Sequence, residues 1–171
     1  MKLIMKIFAV VGYSKSGKTT TVIEIIKELS RRGKKVGTVK AVDIENFSID
    51  TFGKDSWKHR EAGAIITATQ ADKETAIMYQ KRMTAKELIP FFQVDFLILE
   101  GFSIEKKIPK VLCAKSIDDL NISLDPTICV ISGVISKSLS EYKGIKIINS
   151  LTSIKELVDL LEQKAVNSSK I

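Results

Sequence analysis

The residues with the clearest chemical meaning lie in one short stretch near the start of the chain, GYSKSGKT, residues 12–19. It matches the pattern G-x-x-x-x-G-K-[S/T], with Gly12, Gly17, Lys18 and Thr19 at the required positions. Successive backbone N–H groups of such a loop can point into one concavity and bind a phosphate. The positive end of a following helix adds to this attraction. The stretch therefore predicts a site for a nucleoside triphosphate with Mg²⁺.

The predicted ligand contacts extend over the whole loop and the residue after it. They are Gly12, Tyr13, Ser14, Lys15, Ser16, Gly17, Lys18, Thr19 and Thr20. In a loop of this kind the lysine reaches the β- and γ-phosphates, and the threonine hydroxyl binds Mg²⁺.

A phosphate-bound Mg²⁺ needs an acidic partner, and the apolar stretch VDFLILEGF offers two, Asp95 and Glu100. They lie five residues apart, about 16 Å along an extended strand. Ligands bind outside the carboxyl ends of parallel strands. Glu100 is thus the predicted acid, and with Lys18 it is a predicted catalytic residue. Asp55 is a third candidate for the metal, with a helix cap as its alternative role.

The segments around the loop predict an α/β fold. A strand over residues 3–11 precedes the loop, and a helix over residues 19–32 follows it, with apolar side chains at helical spacing. Further apolar strands alternate with helices, which predicts a mostly parallel, twisted sheet flanked by helices, the three-layer P-loop NTPase arrangement. We expect one domain over residues 1–165 and a frayed tail over residues 166–171.

Two further local predictions concern helix ends and strands. Ser153 with Glu156 three residues later predicts a capping box. The stretch SWKHREAGA predicts a short helix capped by Asp55 or Ser56. The stretch GIKIINS predicts the last strand of the sheet.

Composition argues against several kinds of site. His59 is the only histidine, and the two cysteines, Cys113 and Cys129, lie in apolar stretches typical of buried free thiols. The sequence offers too few residues of these types for a metal site built from Cys and His. The net charge of +7 favours anionic partners. Aromatic residues do not interleave with basic ones, which favours a phosphorylated small molecule over nucleic acid.

The start of the chain, MKLIMKIFAVVG, predicts a buried strand rather than an export signal. No apolar stretch approaches the roughly 18 residues that a membrane span needs. We expect a cytoplasmic protein with no membrane contact.

Four stretches follow one another in the order and spacing of a known family. They are GYSKSGKTT, VGTVK, GKDSWKHREAGA and VDFLILEGFS…PKV. The chain resembles the molybdopterin-guanine dinucleotide biosynthesis adaptor protein, the GTP-binding B protein of that pathway, over roughly residues 6–111. The resemblance implies GTP and Mg²⁺ binding with slow hydrolysis, a homodimer, and partnership with molybdopterin or the enzyme that joins GMP to it, in molybdenum or tungsten cofactor maturation.

Carried over to this chain, the resemblance assigns the loop residues to phosphate and Mg²⁺, Asp55 and Glu100 to the metal region, and Arg60 to the neighbourhood of the site. The family pattern continues after the second strand with K-H-x-H-H. Here Lys40 is kept as a predicted ligand contact, but the histidines are missing.

Residues 43–56 show no clear periodicity, and a loop of this length is usually functional or mobile. As a hypothesis it closes over the nucleotide like a switch, with Phe47, Ile49 and Phe52 contacting a partner or a pterin. The favoured alternative is that these side chains pack beneath the loop.

Two other functions fit the loop pattern. A small-molecule kinase would use several arginines to clamp phosphates, but Arg31, Arg32, Arg60 and Arg82 are scattered. A metal-delivery GTPase would need more Cys and His. No N-K-x-D element specifies guanine, because Lys115 and Asp118 in AKSID are one residue too far apart. No water-positioning glutamine or arginine finger stands out, so we expect slow intrinsic hydrolysis.

Overall fold

The structure, a computed structural model, describes residues 5–171. Its contacts fall into two compact units. Unit 1 comprises the described residues up to Ala41 together with Ile89–Ile171, and unit 2 is Val42–Leu88. The sequence predicts one domain over residues 1–165, whereas the contacts separate an inserted unit of 47 residues (42 to 88) from the rest.

The strands and helices follow one another along both units. In chain order they are β1 Lys6–Val11, α1 Lys18–Arg31, β2 Val36–Lys40, α2 Asp55–Glu61, β3 Ile66–Gln70, β4 Thr75–Tyr79, α3 Ala85–Leu88, β5 Phe96–Glu100, β6 Lys110–Cys113, α4 Ile117–Ser123, β7 Ile128–Ser132, β8 Glu141–Tyr142, β9 Ile145–Lys146, α5 Ile154–Lys164 and β10 Val166–Asn167. Short 3₁₀ helices cover Ile89–Phe91, Val134–Lys137 and Ser168–Lys170.

Unit 1 is built on a six-stranded sheet in which five strands run parallel, in the order β2-β5-β1-β6-β7. Every residue of β5 is buried, as expected for a strand covered on both faces. The predicted α/β fold with a mostly parallel sheet flanked by helices is confirmed. Because β1 lies in the middle of the sheet, the loop that follows it has neighbouring strand ends on both sides.

Helices α1 and α5 pack on one face of this sheet. Their buried residues meet alternate side chains of the strands in one core cluster, which includes Phe8, Val10, Ile25, Leu29, Phe96, Ile98, Val111, Leu157 and Leu161. Each such side chain stabilises the fold by about 1.5–3 kcal/mol through burial. The cluster fixes α1 against the sheet and so fixes the loop from which α1 begins.

Of three local predictions in unit 1, one is confirmed in part and two are wrong. Ser153 precedes α5 but its side chain makes no capping hydrogen bond; its backbone N–H donates to the Asn149 carbonyl at 2.8 Å, and Glu156 pairs with Lys146. The predicted strand over GIKIINS forms only in part: Ile145 and Lys146 pair with β8 in a hairpin, and Ile147 then pairs in parallel with Ile131 of β7. The tail does not fray at its start, because β10 pairs with Lys6 and Ile7 of β1.

Unit 2 contains the predicted hairpin of β3 and β4, the short helices α2 and α3, and the loop over residues 43–56. Within this unit only Thr67 and Ala85 are buried. The predicted cap of α2 is wrong. Asp55 is the first helical residue, the N-cap is Lys54, and no side chain caps the helix. Asp55 pairs with Lys58 at 3.1 Å, and the Ser56 hydroxyl donates to Asp50 Oδ1 at 2.7 Å.

Candidate phosphate-binding site

The glycine loop connects the carboxyl end of β1 to the N-terminus of α1. Its path requires the left-handed backbone region at Gly12 (φ 138°), Lys15 (φ 61°) and Gly17 (φ 95°). A Cβ atom on Gly12 would lie 2.0 Å from the Cys113 carbonyl oxygen, so only glycine allows the loop to lie this close to the end of β6. The loop backbone is therefore held against the sheet before any side chain is considered.

The end of β7 supports the same loop. The Val134 N–H donates to the Ser16 carbonyl at 3.1 Å. A Cβ on Gly133, whose φ is 85°, would lie 2.2 Å from that carbonyl oxygen. The sequence does not predict this contact. The only signal for Gly133 was a glycine after an apolar strand, in TICVISGV, and it does not reveal a partner 117 residues earlier (133 minus 16).

Ser16 carries an unusual hydroxyl. The residue is 1% exposed, and its Oγ has no hydrogen-bond partner among the described residues. Burying a hydroxyl without a partner costs about 1–3 kcal/mol. The atom lies within the turn, 3.0 Å from where a Gly12 Cβ would be. An orphaned polar atom in the concavity of a loop at a helix N-terminus fits a bound anionic oxygen.

Lys18, the first residue of α1, folds back over the loop. Its ammonium donates to the Gly12 carbonyl at 2.6 Å and to the Tyr13 carbonyl at 2.7 Å. These two contacts hold a positive charge at the loop without an acidic partner. The group is thus available to an anion that offers stronger, charge-assisted hydrogen bonds than a carbonyl does.

Thr19, in the first turn of α1, and Glu100, at the carboxyl end of β5, are in contact, as the sequence predicts. The Thr19 hydroxyl donates to Glu100 Oε1 at 3.1 Å. Glu100 ends β5, its backbone is in register with Val10, and it is nearly buried. A hydroxyl and a carboxylate oxygen are hard donors of the type that Mg²⁺ prefers, so the pair fits that ion.

Lys40 contacts the same carboxylate. It ends β2, directly opposite Glu100 in the sheet register, and its Nζ lies 3.6 Å from Glu100 Oε1. The structure thus brings together five predicted residues on the carboxyl ends of β1, β2 and β5: Gly12, Lys18, Thr19, Lys40 and Glu100. Asp95, at the other end of β5, accepts a hydrogen bond from the Lys35 N–H at 2.7 Å.

Cys113 lies beneath the site but does not carry its chemistry. The thiol is free and buried, and burial raises its pKa to about 12. A thiol with this pKa stays protonated at neutral pH and is a poor nucleophile. Cys129 is also free, and partial burial raises its pKa to about 11. The prediction that both cysteines are free thiols is confirmed.

The remaining predicted contacts are at the surface or in unit 2. Tyr13, Ser14, Lys15 and Thr20 are exposed on the loop and the first turn of α1. Asp55 and Arg60 belong to unit 2, so their assignment to the metal and the nucleotide stays a prediction. Within the described part of the chain, no group of three or more His, Cys, Asp or Glu side chains is arranged to hold a metal ion.

Comparison with known proteins agrees with this architecture. The family model of molybdopterin guanine dinucleotide synthesis protein B matches residues 7–133. A protein of Methanocaldococcus jannaschii is 32% identical over 133 residues, which cover 74% of this chain and 55% of that one. The molybdopterin-guanine dinucleotide biosynthesis adapter protein of Haemophilus influenzae is 35% identical over 111 residues, 62% of this chain and 61% of that one. The chain therefore spans little more than half the length of these two relatives.

A solved structure matches over almost the whole chain. The crystal structure of Bacillus subtilis MobB has a TM-score of 0.77 and 26% identity, and the match covers 95% of this chain and 99% of that one. Over residues 5–171, the structure contains no helix long and apolar enough to cross a membrane.

Proposed function

Because the chain belongs to the family of molybdopterin guanine dinucleotide synthesis protein B, we propose that it is a GTP-binding adapter of molybdopterin-guanine dinucleotide biosynthesis. In this role it hydrolyses GTP slowly and assists the attachment of GMP to molybdopterin. The names of its relatives support the assignment to this pathway. Two observations support the binding of a nucleotide. The Thr19 hydroxyl contacts Glu100, and the adjacent loop contains the buried Ser16 hydroxyl, which has no partner among the described residues.

The loop would bind the triphosphate chiefly through its backbone. The positive φ angles at Gly12, Lys15 and Gly17 would let peptide N–H groups of the loop point into one concavity, an arrangement that binds anions. The Ser16 hydroxyl would gain a phosphate-oxygen partner, which removes its desolvation cost. The Lys18 ammonium would exchange two carbonyl acceptors for phosphate oxygens.

The donors for Mg²⁺ in this proposal are the Thr19 hydroxyl and the Glu100 carboxylate. When bound, the ion neutralises charge on the terminal phosphates. The Lys40 ammonium, which contacts Glu100 at 3.6 Å, would be free to turn to the phosphates once the carboxylate has another cationic partner.

Hydrolysis would be attack of water on the γ-phosphate, with charge on the transferred group stabilised by Lys18 and the loop N–H groups. Among the described residues, the hydrogen bonds and ion pairs of Lys18, Thr19 and Glu100 involve no arginine and no glutamine. Such residues provide most of the rate in fast GTPases. Slow hydrolysis would suit an adapter whose role depends on which nucleotide is bound rather than on the amount of product formed. A homodimer and the guanylyltransferase are the partners that we propose.

The experiment that tests this proposal is equilibrium binding of GTP and ATP, each with Mg²⁺, to the wild-type protein and to Lys18→Ala. We expect a preference for GTP and a loss of affinity of about 10- to 100-fold in the variant, because charged hydrogen bonds to phosphate are lost. Lys27→Ala is the matched control, since Lys27 lies on the same helix and pairs only with Glu24 at the surface.

A preference for ATP would overturn the proposal and favour a small-molecule kinase. Equal affinity of wild type and Lys18→Ala would show that the loop is not the nucleotide site. Phosphate release from GTP, measured with the same variants, separates binding from slow hydrolysis.

A further inference from the structure

Unit 2 carries a cluster of two aromatic rings and one guanidinium. The rings of Phe52 and Trp57 are 4.5 Å apart, centroid to centroid, and tilted by 50°. The Arg60 guanidinium carbon lies 5.8 Å from the centre of the Trp57 ring. We call Phe52, Trp57 and Arg60 the aromatic platform. All three lie within unit 2, so the geometry depends on local contacts alone.

Phe52 is the solvent-exposed member of the platform, whereas Trp57 and Arg60 are half-buried. Phe52 is 81% exposed although its ring contacts Trp57. The interpretation that residues 43–56 bury their apolar side chains beneath the loop is therefore wrong, since Phe47 is 53% and Ile49 82% exposed. A large aromatic ring in water with one free face is a surface on which another flat ring can stack.

Arg60 is held in place but retains donors. Its Nη1 donates to Ser48 Oγ at 3.2 Å, and Nε and Nη2 make longer contacts of 3.4 Å with Glu61 Oε1. A guanidinium has five N–H donors, so these three contacts leave two that donate to no described residue. A planar cation beside an aromatic pair suits a ring that carries oxygen acceptors on its edge or an attached phosphate.

We propose that the aromatic platform binds the fused heteroaromatic ring of a pterin, which stacks on Phe52 and accepts hydrogen bonds from Arg60. This inference rests on the proposed function, because the relative's name connects the family with molybdopterin. The same chemistry would suit guanine, whose ring shares the amino-oxo-pyrimidine edge. The phosphate-binding loop in unit 1 already offers the nucleotide a site, which leaves the platform for the pterin.

The chain provides its own reporter for this site, since Trp57 is its only tryptophan. Titration of the full-length protein with pterin-6-carboxylate should give saturable quenching of tryptophan fluorescence, because the Phe52 ring that would bind the pterin lies only 4.5 Å, centroid to centroid, from the Trp57 indole. Phe52→Leu should weaken this binding about tenfold, in the range that loss of one ring stack gives. Arg60→Gln should weaken it, and Arg60→Lys should restore only part of the affinity because its ammonium lacks the planar fork.

Ile49→Ala is the matched control. Ile49 lies in the same loop and is as exposed as Phe52, but it has no ring. Pterin binding by this variant should equal that of wild type, and both Ile49→Ala and Phe52→Leu should bind Mg²⁺-GTP normally. The same titration with GMP in place of the pterin should give weaker quenching at the platform.

Three results would overturn the inference. They are absence of saturable quenching by the pterin, equal pterin affinity of Phe52→Leu and wild type by calorimetry, and quenching by GMP as strong as that by the pterin. Because the variants are also measured with Mg²⁺-GTP, failure at the platform is distinguished from failure of the nucleotide site, which Lys18→Ala tests separately.

Discussion

Unit 1 and unit 2 hold their functional residues in opposite ways. In unit 1 the glycine loop over residues 12–19 is fixed by buried strands and by close backbone contacts at Gly12 and Gly133. In unit 2 most side chains are exposed, and the aromatic platform is held by one ring pair and a few surface hydrogen bonds. A pocket for phosphates needs backbone placed to a fraction of an ångström. A stacking surface tolerates looser placement, because every flat ring offers the same face.

The largest effect that would sharpen this comparison is expected from Gly133→Ala. Gly133 has a φ of 85°, and its new Cβ would meet the Ser16 carbonyl at 2.2 Å. We expect a loss in the free energy of unfolding of about 3 kcal/mol or more, because backbone strain and a backbone clash act together. Urea denaturation measures this, and Mg²⁺-GTP affinity should fall in parallel.

Gly53→Ala in unit 2 is the control, because its φ of 79° is similar but nothing lies within 4 Å of the new Cβ. It should cost only about 1–2 kcal/mol, the strain alone. Equal losses for the two variants would show that the contact between β7 and the loop does not constrain unit 1.

A smaller loss of stability is expected when acid protonates Glu28 of unit 1. In unit 1, hydrogen bonds from Arg31 and Arg32 lower the pKa of Glu28 to about 2 from an ordinary value of 4.5. Arg32 also pairs with Asp159 and Glu162 of α5. The Glu28 carboxylate therefore belongs to a group of ion pairs that connects α1 with α5. A lowered pKa in the folded state means that its stabilisation is complete above pH 4.5 and is lost as the pH falls towards 2.

Glu28→Gln tests this by thermal denaturation between pH 6 and pH 2.5. The variant should be less stable than wild type at pH 6, and the difference should shrink as the pH falls. A difference that stays constant over this range would contradict the assignment of the low pKa to Glu28.

The smallest effect is expected from the corresponding acid of unit 2. The Lys81 ammonium and the Thr84 N–H and hydroxyl lower the pKa of Glu87 to about 2. These partners, Lys81 and Thr84, lie within six residues of Glu87 in unit 2. The contacts of Glu87 therefore do not connect it to a distant element, as the Glu28 cluster does for α1 and α5. Glu87→Gln should therefore change the acid-dependent loss of stability less than Glu28→Gln does, in the same denaturation series. A larger change would mean that unit 2 limits the stability of the chain.

The sequence predicts unit 1 well because its signals are local or periodic. The apolar stretch ending in Glu100 shows both a buried strand and the acid at its carboxyl end. The glycine and lysine spacing of residues 12–19 defines the loop without knowledge of its neighbours.

The errors have a common physical origin, which is competition from partners distant in sequence. Lys146 takes the Glu156 carboxylate that a capping box would need, and β1 takes the tail that was expected to fray. The contact of Gly133 with Ser16 joins two loops that no spacing rule connects. In unit 2, the large apolar residues of the loop over residues 43–56 predict burial. Burial also requires other residues to pack on them, and for Phe52 the ring contact is with Trp57, which leaves it exposed.

The measurement that tests the central claim most directly is the Mg²⁺ dependence of GTP affinity in wild type and in Glu100→Gln. In the proposed site, the Thr19 hydroxyl and the Glu100 carboxylate are the metal donors. We expect Mg²⁺ to strengthen GTP binding by wild type and the variant to lose this gain, about 10- to 100-fold in metal affinity.

Asp95→Asn, at the opposite end of the same strand, should retain the full dependence on Mg²⁺. If Glu100→Gln responds to Mg²⁺ as wild type does, the acid at the end of β5 is not the partner of the metal, and the proposed nucleotide site is wrong in its central contact.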